Sequence, residues 1–143
     1  MKFMAKADLI QEWLDGTIPM PPIARLLGIR LTGFDNGMIT MEMNIDDRFH
    51  NPMNTLHGGV YCDIADASMG FTFYATLEDD EAFTTQELHI SYLQPMTSGK
   101  LIAISKVVHR GARIGYVECD LTNEDGILVA RASSTCMVLK LRS

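Results

Sequence analysis

His57-Gly58-Gly59 and, seven residues beyond Gly59, Asp66 are the residues whose types and spacing best suit chemistry. Glycines at the entrance of a helix let a ligand approach the backbone. The free amides of the first turn then point outward with the positive end of the helix dipole behind them. Such amides suit a negative charge developing on a carbonyl oxygen. Asp66 falls inside an apolar stripe formed by Cys62, Met69, Phe73 and Leu77, where an ionised carboxylate is costly unless something compensates it. A charge in such a place invites a functional reading. Eight residues separate Gly58 from Asp66, roughly 12 Å at 1.5 Å per helical residue, so the carboxylate cannot reach a carbonyl held at the Gly58 amide of its own chain. Two copies with antiparallel helices would bring Asp66 of one copy to Gly58 of the other and create two shared sites per dimer.

Other chemistries find less support. Asp63 lies one turn before Asp66 and could pair with it for acid–base work or a magnesium ion, but no third ligand recurs at suitable spacing, so no metal is expected. His50, His57, His89 and His109 form no H-x-x-x-H pattern, and Ser68, Ser133 and Ser134 sit in no G-x-S-x-G elbow. The run H-R-G-A-R, with Arg110, Gly111 and Arg113, reads as a solvated hairpin tip or as a phosphate site.

The elements that must position these residues follow from periodicity. Val60, Ile64, Ala67, Phe71 and Tyr74 make a second apolar stripe opposite the first, so residues 51–77 read as a loop feeding a long core helix. Ala65, Ser68, Thr72 and Ala75 lie between the stripes and are small, as where a sheet approaches closely. Before this helix, Leu9, Ile10, Trp13 and Leu14 predict a short N-terminal helix ending near Gly16, and Ile23, Leu26 and Leu27 a second one stopped at Gly28. Strands are expected at 29–34 and 38–45 around an Asn36-Gly37 hairpin turn. Four more are expected at 83–93, 101–109, 114–121 and 127–139, joined by hairpin-type links. E-D-D-E at 78–81 reads as a charged, solvated loop. The expected class is α+β, an antiparallel sheet of about six strands curled around one long helix. The 143 residues suit a single domain over 1–143 with a helical extension at 1–28.

Composition narrows the partners. A net charge of −6 and a pI near 5.1 argue against nucleic acid and against anionic membrane surfaces, both of which need a basic excess. Cys62, Cys119 and Cys136 are odd in number and lack C-x-x-C spacing, which fits reduced thiols buried as small hydrophobes. The start, M-K-F-M-A-K-A-D-L-I, is amphipathic rather than leader-like, and no apolar run reaches membrane-spanning length, so a cytoplasmic protein is expected.

The combined pattern N-x5-H-G-G-x6-D, spelled by Asn51, His57, Gly58, Gly59 and Asp66, resembles that of hotdog-fold acyl-CoA thioesterases of the phenylacetic-acid-pathway type. The resemblance runs from about Ile29 to the C-terminus. It includes T-T-Q-E-L-H-I-S-Y-L-Q-P and D-L-T-N-E-D-G-I-L-V-A-R-A-S-S-T. It implies the hotdog fold, a homodimer or dimer of dimers with sites at the subunit interface, and an acyl-CoA substrate whose coenzyme A is the only cofactor-like group. It further implies that the Gly58 amide polarises the thioester carbonyl and that Asp66 of the other copy is nucleophile or general base. Asn51 and Thr85 would orient the attacking water, and His57 would shape the loop and help hold the thioester. Asp63 stands where the pattern is not usually acidic. On this reading Met53, Met69 and Phe73 would line the acyl pocket, Gly59 would contact the acyl-CoA, and Arg110, Gly111 and Arg113 would meet the phosphates of coenzyme A. A non-catalytic acyl-CoA binding module and a hydratase or dehydratase are the alternatives. The first has little reason to retain Asp66, and the second needs a His and an acid aimed at the same substrate carbons.

Overall fold

The computed structural model describes residues 5–142; Met1–Met4, the first part of the amphipathic start, and Ser143 lie outside the described residues. Leu9 to Leu14 form their helix as expected, α1 (Lys6–Leu14), and Pro at its first position starts α2 (Pro22–Leu27), which Gly28 ends in the left-handed region (φ 76°). β1 (Arg30–Asp35) and β2 (Met38–Ile45) form a hairpin whose turn, Asn36-Gly37, has φ of 50° and 76°, the two positive values that such a turn requires. Ile39, Met41, Met43 and Ile45 alternate into the core. A short 3₁₀ turn, Asp47–Phe49, leads into the loop before α3 (Gly58–Tyr74).

β3 (Glu81–Tyr92), β4 (Gly99–Arg110), β5 (Ile114–Asn123) and β6 (Leu128–Lys140) complete one antiparallel six-stranded sheet in the order β1-β2-β4-β5-β6-β3. One expected link is corrected here. Residues 93–98 do not close a hairpin, because β3 pairs with β6 and not with β4. The segment instead crosses to β4 with Met96 buried, and its carbonyl accepts the Leu56 amide (2.7 Å). β3 thus lies at one edge, unpaired on its outer side among the described residues.

The helix sits against this curled sheet along Tyr61, Ile64, Ala65, Ser68, Met69, Thr72 and Phe73, a run of steps of three and one that makes a single face. This face runs between the two expected stripes, taking Ile64 from one and Met69 and Phe73 from the other, while Val60, Cys62, Ala67, Phe71 and Tyr74 are only partly buried; the small Ala65, Ser68 and Thr72 lie at its centre. Ser105 of β4 donates to Ser68 (Oγ to Oγ, 2.7 Å), satisfying both hydroxyls inside the core. Gly115 of β5 lets the far end of the helix approach, since a Cβ there would stand 2.0 Å from the Phe73 ring. Asp66 lies off this face and is exposed in the single chain, so the expectation of a buried charge is overturned: the helix turns Asp63 and Asp66 outward. Cys119 and Cys136 are buried, and burial pushes the Cys119 thiol up to about 11, as for inert core thiols. No helix of the described residues is long and apolar enough to cross a membrane.

Candidate active site

His57 is the N-cap of α3. Its Nδ1 accepts the Gly59 amide (2.9 Å), and its carbonyl accepts the Val60 amide (3.0 Å). Among the described residues the Gly58 amide alone of these three has no partner, so it is the open donor at the positive end of the helix. The Gly59 amide is already used by the His57 cap. Tyr92 at the end of β3 donates its hydroxyl to the Gly58 carbonyl (2.8 Å) and lies 3.5 Å from Cys62 Sγ. Desolvation, then the Cys62 thiol beside it, pushes the phenol up to about 12, so it stays a donor. Tyr92 stacks edge-on to the buried Tyr61 (5.5 Å between centroids). These residues border a cleft of about 350 Å³ that also touches Asn51 and Met53.

Asn51 holds this loop. Its Oδ1 accepts the Met53 and Thr55 amides (2.9 and 3.2 Å), and its Nδ2 donates to Thr55 Oγ1 (3.0 Å). These bonds give Asn51 a turn-forming role at the edge of the cleft that it shares with Gly58.

Asp66 opens elsewhere. It borders a second, polar cleft of about 430 Å³ with Cys62, Asp63 and Thr85, and Thr85 Oγ1 donates to Asp66 Oδ1 (3.1 Å). Thr85 reaches the helix because Gln86 is an extra residue in β3: Thr85 pairs with Cys136 and Glu87 with Thr135, so the side-chain parity flips between them. Without that bulge Thr85 would face away from Leu88, Ile90 and Tyr92; with it all four share the helix side. Asp63 is also exposed, and its carboxyl is raised above the ordinary range by partial desolvation and then by the Asp66 charge, with His57 opposing.

Three further expectations change. Met69 and Phe73 are fully buried in the core and line no cleft. Arg110 is spent on the protein: its guanidinium is ion-paired to the buried Glu81, bonds Thr76 Oγ1 (3.1 Å) and lies over the Phe73 ring (5.3 Å). Glu81, expected in a solvated loop, is 5% exposed and also meets Lys140 (3.1 Å). Gly111 closes the β4–β5 hairpin through its amide to Ile114 O (2.9 Å), and Arg113 remains exposed. Sequence reasoning missed Tyr92, which meets Gly58 across 34 residues. It also missed an apolar cavity on the other side of Asp66, reached by Trp13 and Ile23 of the N-terminal extension.

Comparison with known proteins places this geometry. The chain is 28% identical over 120 residues to an esterase of Pseudomonas aeruginosa, covering 83% of each chain. It is 26% identical over 137 residues to a medium/long-chain acyl-CoA thioesterase of Salmonella typhimurium, covering 82% of this chain and 85% of that one. A phenylacetic acid degradation-related protein from Ralstonia eutropha superposes with a TM-score of 0.81 at 32% identity, over 90% of this chain and 98% of that one. The family model of the thioesterase superfamily matches residues 53–130, which hold α3, Asp66, Thr85 and Tyr92. With more than half its length matched and the hotdog architecture in place, the chain belongs to the thioesterase superfamily.

Proposed function

We propose that this thioesterase hydrolyses acyl-CoA thioesters at sites completed by a second copy, with Gly58 of one chain facing Asp66 of the other. The observation that carries this is the division of the site within one chain: the free Gly58 amide and the Thr85-held carboxylate open into separate clefts. Each is half of a hydrolytic site. The unpaired outer edge of the twelve-residue β3, which carries both Thr85 and Tyr92, is where a second copy would add, since a long open edge calls for cover. Acyl-CoA as substrate accords with the activity for which the Salmonella relative is named.

In this arrangement the Gly58 N–H bonds the thioester oxygen as it gains charge. Asp66 either takes a proton from water, whose oxygen then attacks the carbonyl carbon, or attacks that carbon itself to give an anhydride that water opens. In both routes the C–S bond breaks, the thiolate leaves with coenzyme A and the acid is released. Thr85 fixes one carboxylate oxygen and leaves the other for the reaction. A hydratase is less well supported, because the His57 ring is engaged through Nδ1 at the helix cap and, among the described residues, no histidine of the same chain borders the Asp66 cleft.

The test separates the two neighbouring carboxylates. Asp66→Asn keeps the shape and can still accept from Thr85, so kcat on the best acyl-CoA should fall by about 10²-fold or more with the fold intact. Asp63→Asn should keep most activity. In the Asp66→Asn protein the Asp63 carboxyl should titrate lower, since part of what raises it is gone. Full activity of Asp66→Asn toward every acyl-CoA tried would remove the carboxylate mechanism.

A further inference from the structure

Asp66 stands on a divide. On one side is the polar cleft it shares with Thr85; on the other is an apolar cavity of about 270 Å³ walled by Trp13, Ile23, Gly70, Phe71, Tyr74 and Phe83. Among the described residues Asp66 is the only charged one lining that cavity. Trp13 of α1 meets Phe71 edge-on (5.0 Å) and Tyr74 likewise (5.9 Å), and its Nε1 donates to Pro19 O (3.1 Å), so its ring is held in place from both ends. Gly70 opens the helical wall. A Cβ there would meet Phe83 at an ordinary 3.5 Å, so alanine would fit and the missing side chain leaves space rather than relieving a clash. Trp13 and Ile23 lie outside residues 53–130, the part matched by the family model, so this wall belongs to the N-terminal extension of this chain.

We propose that the N-terminal extension closes the acyl pocket, and that Trp13 with Ile23 sets the longest acyl group hydrolysed. This rests on the thioesterase reading above and adds the class of acyl group to it. The cavity adjoins the carboxylate that would act on the thioester carbon, so an acyl chain leaving that carbon away from the polar cleft enters it directly. Among the described residues its walls offer aromatic and aliphatic carbon and no hydrogen-bonding side chain other than Asp66 itself and the rims of Trp13 and Tyr74, which selects uncharged, unhydroxylated acyl groups. Its volume holds about nine non-hydrogen atoms at roughly 30 Å³ each, the share of a water molecule in the liquid. With the carbonyl left at Asp66, that holds about seven to nine chain carbons, those of an octanoyl to decanoyl group, or the ring and methylene of an aryl-acetyl group, and excludes long fatty acyl chains while Trp13 is present.

The experiment measures kcat/KM over straight-chain acyl-CoAs from acetyl to palmitoyl, with phenylacetyl-CoA beside them. Wild type should gain roughly fourfold per added methylene until the cavity is full, near octanoyl, and then fall. Trp13→Ala should raise the dodecanoyl to octanoyl ratio at least about tenfold, and Gly70→Leu should lower the octanoyl to acetyl ratio by a similar factor. A readout free of turnover accompanies these. Trp13 is the only tryptophan in the chain, so its emission should change when a non-hydrolysable octanoyl-CoA thioether binds and stay unchanged with coenzyme A alone. Such a change without hydrolysis of any acyl-CoA would keep the pocket and overturn the thioesterase reading. Hydrolysis with an unmoved length profile in both variants would keep the thioesterase and overturn the pocket. Emission that changes on dilution of the protein but not with the thioether would assign the cavity to a second copy and likewise overturn it.

Discussion

Whether the two halves of the site act across chains can be decided by mixing two inactive proteins. Gly58→Pro deletes the open amide hydrogen with little harm to the helix: Gly58 is the first helical position, where proline is tolerated, and His57 at φ −63°, ψ 134° already has the backbone that a residue before proline adopts. The new Cβ would meet the Tyr92 hydroxyl at 2.9 Å, the outer end of a side chain that can swing aside. Loss of one oxyanion donor should cost about 10²–10³ in kcat, or about 2.7–4 kcal/mol of transition-state binding. Asp66→Asn, as above, should cost at least as much. In a mixed dimer one site keeps both Gly58 and Asp66, while the other loses both. Unfolding and refolding an equal mixture makes about half the dimers mixed, each with one good site of two, so activity should recover to about a quarter of wild type. The assay is thiol release from octanoyl-CoA before and after subunit exchange. Recovery below about one per cent, with exchange shown by mass labelling, would mean that each chain uses its own Gly58 and Asp66 and would refute the shared site.

Three further outcomes follow from contacts in the single chain. Arg110→Ala strands the buried Glu81 carboxylate with only Lys140 beside it and should lower stability by about 2 kcal/mol in urea titrations at neutral pH, leaving KM unchanged. The Glu78 amide foremost, then Lys140 and Arg110, holds Glu81 below its ordinary value, so this stabilisation is full above that ordinary value and is lost as pH falls through the depressed one; the deficit of the variant should shrink in acid. Arg113→Ala should raise KM for acyl-CoA at low salt with kcat near wild type, since Arg113 is the exposed arginine of the tip; equal KM values would make it plain surface. Tyr92→Phe removes one hydrogen bond to Gly58 O and should cost about 1 kcal/mol of stability and less than tenfold in kcat, and a loss as deep as that of Gly58→Pro would make Tyr92 a participant in the chemistry.

Period and the hairpin pairings β1–β2, β4–β5 and β5–β6 were legible in the sequence, and pairing between distant strands was not. Alternation in β2 and the apolar run of α3 identify these elements because side-chain direction repeats within the element itself. Nothing local says that β3 lies beside β6, and the same blindness hid the Gly58–Tyr92 bond and the approach of Trp13 to Phe71. Thr85 was reached only through resemblance, since strict alternation from Leu88 points it away from the helix; the bulge at Gln86 reverses that and leaves no mark in composition. Asp66 was singled out for a burial it lacks in the single chain, because a helical wheel shows which residues share a stripe and not how wide a stripe the sheet covers. Arg110 looked like ligand chemistry because its partner Glu81 lies 29 residues away in a run that reads as solvated.

The Gly58 amide gains its direction from the peptide that follows it. The unit joining Gly58 to Gly59 is held at both ends: Tyr92 bonds its carbonyl and the His57 ring bonds its N–H. The preceding unit, joining His57 to Gly58, is held at its carbonyl by the Val60 amide, which fixes that carbonyl toward the first turn. A planar trans peptide points its N–H opposite to its C=O, so the Gly58 N–H is aimed out of the helix end with no bond of its own. A donor oriented in this way before the substrate arrives needs no reorganisation when charge develops on the carbonyl oxygen, which is the condition under which one such bond is worth orders of magnitude in rate. The residues that impose it come from the loop, the helix and the edge strand, and each is satisfied by the contact that does so. On the proposed mechanism His57 would therefore be a positioning residue. Replacement by Asn, which can still cap Gly59, should be milder than replacement by Ala, which leaves that amide free and lets the two peptides turn.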